Sequence, residues 1–98
     1  MKRSEMNAHQ KAIFDLMSYE MSNIIGGYEN LMMDYTEDTE EYKEAKAYLS
    51  QSREALIEDI YNIVMDDCKK GSNATHARFA GGQFLRDRIE ARLIKWGY

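Results

Sequence analysis

The residues best suited to chemistry fall into two small groups. Residues 66–76 contain two aspartates, Cys68 and His76, and near the start of the chain Glu5 and His9 stand one helical turn apart. One thiol and one imidazole fall short of a closed zinc site, and neither histidine has a serine or cysteine at a recognisable nucleophile spacing. We therefore interpret both groups as solvated helix ends, and we expect no metal, no cofactor and no enzyme activity.

One tripeptide, Gly81-Gly82-Gln83, has a catalytic counterpart. It resembles the GGQ loop that peptide-release factors place in the ribosomal peptidyl-transferase centre. Its flanks, HARFA before and FLRDR after, are helix-like and apolar rather than small, flexible and polar. We interpret it as a notch at a helix start or helix crossing, and helix pairing places the two glycines beside Tyr61.

The elements that must position these residues are predicted to be helices. The chain has no proline and is rich in strong helix formers. In the first segment, apolar residues recur at steps of three and four, which keeps them on one helical face. This spacing predicts a helix from near Ser4, acting as N-cap, to Asp34–Thr36. The residues of that face are Ile13, Met17, Met21, Ile24, Tyr28, Leu31 and Tyr35.

A second helix is predicted to begin at Asp38, with Glu41 completing a capping box, and to end at Lys69-Lys70 with Gly71 as the residue that follows it. Its apolar face is Tyr42, Ala45, Leu49, Ser52, Leu56, Ile60 and Ile63.

A third helix follows, with Ser72 or Asn73 as N-cap, and the glycines leave open whether it starts near Thr75 or near Gln83. Its apolar face is Phe84, Leu85, Ile89, Leu93 and Trp96.

The predicted fold is therefore all-α: a long antiparallel helical hairpin with a third, C-terminal helix packed on it, resembling a three-helix bundle. Residues 1–98 form one domain, and we expect a homo-oligomer, most simply a dimer. In this arrangement the costly pair Gly26-Gly27 lies level with Tyr48 and opens a notch for the indole of Trp96.

The charge of the chain is divided between its two parts. Residues 1–68 carry a net −9 and residues 69–98 a net +5, giving −4 overall. The acidic part predicts an interaction surface for a protein partner, made of carboxylates from the hairpin tip and the second helix. Its members are Glu37, Asp38, Glu40, Glu41, Glu44, Glu54, Glu58 and Asp59.

The basic part provides the alternative, a small dimeric regulator that binds nucleic acid through its last helix. The contacts would come from Arg78, Arg86, Arg88, Arg92 and Lys95. The same arginines can instead pair with carboxylates of the second helix. Our first hypothesis remains a non-enzymatic interaction protein, in its sharper form an inhibitor or regulator of a nucleic-acid-handling protein, of the kind mobile elements encode.

The sequence has no membrane-spanning run, no signal region and no pair of cysteines, and these features predict where the protein is found. The longest charge-free run, Met21 to Tyr28, is eight residues, far too short to span a membrane. The first ten residues have no apolar signal region, and the single cysteine cannot form an internal disulfide. We therefore expect a cytoplasmic protein that is not bound to a membrane.

Overall fold

The computed structural model describes residues 2–70 and 73–98, and within those ranges every regular element is a helix. The prediction of an all-α protein is confirmed, although the helices are more numerous and shorter than expected. A short 3-10 helix is followed by α1 (Ala8–Asp34), α2 (Glu40–Leu49), α3 (Arg53–Cys68), α4 (Asn73–Ala80) and α5 (Gln83–Lys95).

The central element is α1, 27 residues long, and each of the other four α-helices packs against it. Its buried stripe runs at steps of four through Ile13, Met17, Met21 and Ile25, all at most 1% exposed. The stripe meets a core supplied mainly by α3 and α5, which also pack against each other. These core residues are Leu56, Ile57, Ile60, Val64, Leu85, Ile89 and Leu93.

The first helix begins three residues later than predicted, because Asn7 rather than Ser4 is its N-cap. The Asn7 side chain accepts the Gln10 backbone N–H at 2.9 Å, and the Gln10 side chain accepts the Asn7 backbone N–H at 3.0 Å. This reciprocal capping box satisfies two backbone donors at once. Ser4 lies instead in the 3-10 helix Arg3–Glu5.

The prediction of one long second helix is wrong, since the chain breaks at residues 50–52. The Ser52 hydroxyl accepts the Ala55 backbone N–H at 3.2 Å and so caps a new helix, α3. Serine favours such caps because its hydroxyl competes with the continuing helix for backbone donors. The start of α2 differs from the prediction as well. Its N-cap is Thr39 and not Asp38. The Asp38 carboxylate instead accepts a hydrogen bond from the Thr36 hydroxyl.

Both candidate starts of the third helix correspond to real helices, because α4 and α5 are separated at Gly81-Gly82. Gly82 has φ of +67°, a conformation that only glycine adopts readily. Its N–H donates to the Tyr61 hydroxyl at 2.9 Å, so the predicted position beside Tyr61 is confirmed. Gln83 is the first residue of α5, as the interpretation of a helix start requires. The predicted roles of Gly71 and Ser72 lie outside the described residues.

The predicted reason for the pair Gly26-Gly27, a notch that the Trp96 indole needs, is wrong. Trp96 does lie half-buried beside Gly26, in a groove that it shares with Ser22 and Glu29. However, a Cβ atom added at Gly26 or Gly27 would meet no atom within 4 Å. The indole therefore does not require the glycines, and packing inside this chain leaves their helix-propensity cost unexplained.

No helix in the described ranges has the length and apolar character needed to cross a bilayer. The predicted dimer remains a prediction.

We expect Gly26→Ala and Gly27→Ala each to raise the free energy of unfolding by about 1 kcal/mol. Alanine is the better helix former, and its methyl group meets nothing at either site. Urea denaturation followed by circular dichroism measures the change. A loss of stability at either position would show that the helix needs the glycine.

Gly82→Ala should have the opposite effect and lower the free energy of unfolding by about 1–2 kcal/mol. The positive φ at this residue strains any residue that carries a Cβ atom. The same urea titration tests this, with Gly27→Ala as the matched control in a helical conformation. Equal stabilisation by both substitutions would contradict the strained junction.

Candidate interaction surface

Five predicted carboxylates form an exposed group at one end of the molecule, where α1 turns into α2. We call this group the acidic tip: Glu37, Asp38, Glu40, Glu41 and Glu44.

Two threonines fix the turn that carries the tip. The Thr39 hydroxyl donates to the Thr36 carbonyl at 2.7 Å, and the Thr36 hydroxyl donates to Asp38 Oδ1 at 2.5 Å. The second bond favours the charged carboxylate and lowers the pKa of Asp38. Glu40 and Glu41 occupy the first turn of α2, where the helix dipole favours negative charge. The turn that carries the acidic tip is thus held by defined hydrogen bonds, and the carboxylates of the tip are exposed.

The three predicted carboxylates on α3 do not belong to the acidic tip. Glu58 accepts two bonds from the Arg86 guanidinium, at 2.7 and 3.3 Å, and this pairing lowers the pKa of Glu58. Asp59 accepts the Tyr48 hydroxyl at 2.6 Å. Glu54 lines a shallow cleft with Glu58 and Arg86. The eight residues therefore do not form one continuous face.

The basic residues of the alternative hypothesis are partly used within the chain. Arg86 lies 3.9 Å above the Tyr61 ring in addition to its pairing with Glu58, which ties α5 to α3. Arg92 donates to the Ser18 hydroxyl at 3.1 Å and lies over the rings of Phe14 and Trp96.

The other three basic residues differ in exposure. Arg78 and Lys95 are exposed, and Arg88, half-buried, lies 5.9 Å above the Phe84 ring. The prediction that arginines of the last helix pair with carboxylates of the second holds for Arg86.

An apolar groove of about 350 Å³ lies between α1 and α3 and is bounded at one end by α2. We call it the α1–α3 groove. Its apolar lining comes from Ile24, Tyr28, Leu31 and Ile63, and Tyr48 stacks on Tyr28 with ring centroids 4.2 Å apart. All four of these apolar residues were predicted on the apolar faces of the first two helices, but the structure leaves them half-buried.

Two polar groups and one glycine complete the α1–α3 groove. Asn23 and Asp59 contribute the polar atoms, and Gly27 leaves the α1 backbone uncovered. Burial, with the hydrogen bond to Asp59, raises the pKa of Tyr48, so this phenol remains a neutral donor. The hydrogen bond fixes the Tyr48 ring, and with it the wall of the groove.

A pair of carboxyl groups, Glu20 on α1 and Asp67 on α3, connects these helices one turn beyond the α1–α3 groove. Their mutual hydrogen bond, with partial burial and the neighbouring negative charge, raises the pKa of Glu20 to about 7. Such a bond requires one of the two groups to be protonated. Sequence spacing offered no signal for it, because the two residues are 47 positions apart.

Two histidines make a second contact that the sequence did not predict. His9 Nδ1 and His76 Nδ1 lie 3.0 Å apart, and His9 also packs on the Phe79 ring, with centroids 5.0 Å apart. One imidazole must present N–H and the other its lone pair. The bond fastens the start of α1 to α4. Across the described ranges, no three side chains of histidine, cysteine, aspartate or glutamate converge as a metal site would require.

Cys68 lies in the core with 1% of its surface exposed. Burial, followed by the nearby Asp67 and Glu20 carboxylates, raises the pKa of its thiol. A thiol that is both inaccessible and protonated is a poor nucleophile. The side chain acts as a small core residue.

Comparison of the chain with protein-family models, characterised proteins and solved structures gives no significant match. Inference about function therefore depends on the geometry and charges described above.

The Glu20–Asp67 pair predicts that stability falls as pH rises through neutrality. The pKa of Glu20 is about 7 in the folded state and 4.5 in the unfolded chain, so the contribution to stability is complete below pH 4.5 and is lost as the pH rises through 7. After allowance for solvent screening, we expect the loss to be on the order of 1 kcal/mol. Glu20→Gln keeps a neutral hydrogen-bonding group at this position and should abolish the pH-dependent loss of stability.

The measurement is urea denaturation of the wild type and Glu20→Gln at pH 5 and pH 8, with Glu37→Gln as an exposed control. Comparing variants removes any pH dependence that is common to all three proteins. A pH dependence that is unchanged in Glu20→Gln would show that the pair does not share a proton.

Proposed function

We propose that this protein is a non-enzymatic interaction module that binds a basic surface of a protein partner through its acidic tip. In the sharper form of the proposal, it inhibits or regulates a nucleic-acid-handling protein. The acidic tip would then occupy a surface that otherwise receives phosphates. The observation that carries the proposal is the contrast between the acidic tip, whose charges face solvent, and the basic helix α5, whose arginines bind within the chain.

The charges at the acidic tip are supported by local structure but not neutralised by it. In the part of the chain that is described, its one ion pair joins Glu40 to Lys43 at 3.9 Å, both well exposed. Glu37, Glu41 and Glu44 are exposed. Ion pairs of this exposed kind contribute little to folding. A dense charge group of one sign accelerates association with a partner of opposite sign.

Apolar side chains beside the acidic tip support a protein partner. Met33 is 82% exposed and Tyr35 42% exposed at the end of α1. Methionine and tyrosine are enriched where proteins meet, and a charged rim around apolar anchors is the common organisation of an interface. A partner with basic residues around an apolar centre would match both features.

The nucleic-acid alternative receives less support. Arg86 and Arg92 would have to leave Glu58, Tyr61 and Ser18 before binding phosphates. Arg88 also lies over a ring within the chain, that of Phe84, and Arg78 and Lys95 are the exposed candidates for phosphate contacts. The excess negative charge of the rest of the molecule also opposes approach to a polyanion.

The test is affinity capture from a host lysate with the full chain as bait, before and after nuclease treatment. We expect a protein that survives nuclease treatment and is lost when Glu37, Glu41 and Glu44 are changed to lysine. The physical reason is that reversal converts attraction to repulsion without touching the core. The captured protein is then purified and its affinity for both baits measured.

A matched control changes three exposed carboxylates away from the acidic tip, Glu5, Glu54 and Glu90, to lysine. This control carries the same change of net charge, so it separates position from overall charge. Capture that survives tip reversal contradicts the proposal. Recovery of nucleic acid that is lost on changing Arg78 and Lys95 to glutamate would assign the function to the basic part.

A further inference from the structure

We infer that the α1–α3 groove is the binding site for an amphipathic helix of the partner protein. This helix has an apolar face and basic flanks. This inference rests on the proposed function and specifies how the partner is held. The acidic tip attracts the partner, and the α1–α3 groove supplies the apolar contact that fixes its position.

The shape of the α1–α3 groove suits a helix. Its α1 side extends from Asn23 to Leu31, a length of about 12 Å, or roughly two helical turns. Apolar residues line both walls, and an occupant that places side chains at i, i+3, i+4 and i+7 would meet Ile24, Leu31 and Ile63 along one face. Tyr28 and Tyr48 form a stacked, rigid aromatic surface at the end nearest α2.

Gly27 adds a reason for close approach. It lies inside α1 with open space where a Cβ would stand, so the occupant can approach the backbone there. No contact inside the chain requires glycine at this position. Recognition of a partner accounts for a residue that weakens the helix.

The charges around the α1–α3 groove select a basic occupant. On α2, Glu41, Glu44 and Tyr48 share one side, since they are spaced three and four residues apart, so the groove wall continues into the acidic tip. Asp59 lies within the groove. Asp66, one turn beyond Ile63 on α3, is paired with Lys69 at 3.7 Å, so the charges that select a basic occupant are those of Glu41, Glu44 and Asp59. The lysines of α2 lie on its other side: Lys46 lines a different groove, with Met32 and Leu49.

The two other apolar clefts carry weaker arguments. The one lined by Met32, Met33 and Lys46 is bordered by Tyr98, whose hydroxyl donates to Glu29 at 3.0 Å, and it has charges of both signs. The cleft beside Gly26 is closed on one side by Trp96. Neither combines an apolar lining with a rim of one charge.

The test uses the folded full chain and a synthetic peptide of about 14 residues, roughly four turns, made of leucine and lysine with leucine on one helical face. Two control peptides are a scrambled sequence of the same composition and a version with glutamate in place of lysine. Isothermal titration calorimetry measures each affinity. We expect the basic amphipathic peptide to bind most tightly.

Gly27→Phe is the decisive variant, with Gly26→Phe as its neighbour control. Helical side chains lean toward the preceding turn, so Phe at residue 27 covers Asn23 and fills the α1–α3 groove, whereas Phe at residue 26 lies beside Trp96. We expect Gly27→Phe to weaken binding by about tenfold or more and Gly26→Phe to change it by less than about twofold. Equal effects of the two variants, or tight binding of the scrambled peptide, would overturn the inference.

A second measurement covers the case in which Gly27→Phe fails to fold. Amide chemical shifts of the wild type should change on peptide addition at Asn23, Gly27 and Ile63, and much less at Trp96. Shifts confined to other surfaces overturn the inference. The inference is also overturned if the amide shifts of Asn23, Gly27 and Ile63 change on dilution without peptide, because that outcome identifies the occupant as a second copy of this chain.

The captured partner separates the two proposals, because Gly27→Phe leaves every carboxylate in place. Capture that is lost on tip reversal but kept in Gly27→Phe overturns the α1–α3 groove alone. Capture that tip reversal does not affect overturns the proposed function.

Discussion

The structure depends on the burial of one apolar stripe of α1 by four other helices. Ile13, Met17, Met21 and Ile25 are almost completely removed from solvent, and each such side chain contributes roughly 1.5–3 kcal/mol when it is fully buried. A helix of 27 residues cannot have its buried face covered by one short neighbour. The break at residues 50–52 and the junction at Gly81-Gly82 divide the rest of the chain into pieces that can each pack against α1.

The same packing decides which charges stay inside the molecule. Where α5 lies on α3, Arg86 reaches Glu58 and the Tyr61 ring, and Tyr61 in turn holds the Gly82 N–H. The acidic and basic parts of the chain are therefore complementary at this contact. The acidic tip projects beyond it, and its negative charge is directed outward. The uneven charge distribution is thus partly used in packing and partly exposed to solvent.

Tyr48 connects the α1–α3 groove to the helix that carries most of the acidic tip. It lines the groove and lies one turn from Glu44 on α2, and its hydroxyl bonds to Asp59 in the groove. This bond connects α2 to α3 across the break in the chain. A partner that binds the surface would meet charge first and apolar side chains next, an order that favours fast association followed by slow release.

The sequence by itself determined the helical class and most of the core. Absence of proline and apolar spacing of three and four residues identified Ile13, Met17, Met21, Ile60, Leu85, Ile89 and Leu93 as buried positions. Periodicity reports which residues share a face, but not whether another helix covers that face. For this reason Ile24, Tyr28 and Leu31, predicted on the same apolar face as the buried residues of the first helix, instead line the α1–α3 groove.

Only the tertiary structure decided the break at Ser52, the pairing of Glu58 with Arg86 and the contacts of Glu20 with Asp67 and of His9 with His76. A cap such as Ser52 is chosen by competition between a local hydroxyl and the continuing helix, and packing settles that competition. The side-chain pairs join residues between 28 and 67 positions apart. The sequence predicted that arginines of the last helix pair with carboxylates of the second, but spacing does not say which residues meet, because that geometry belongs to the packed helices.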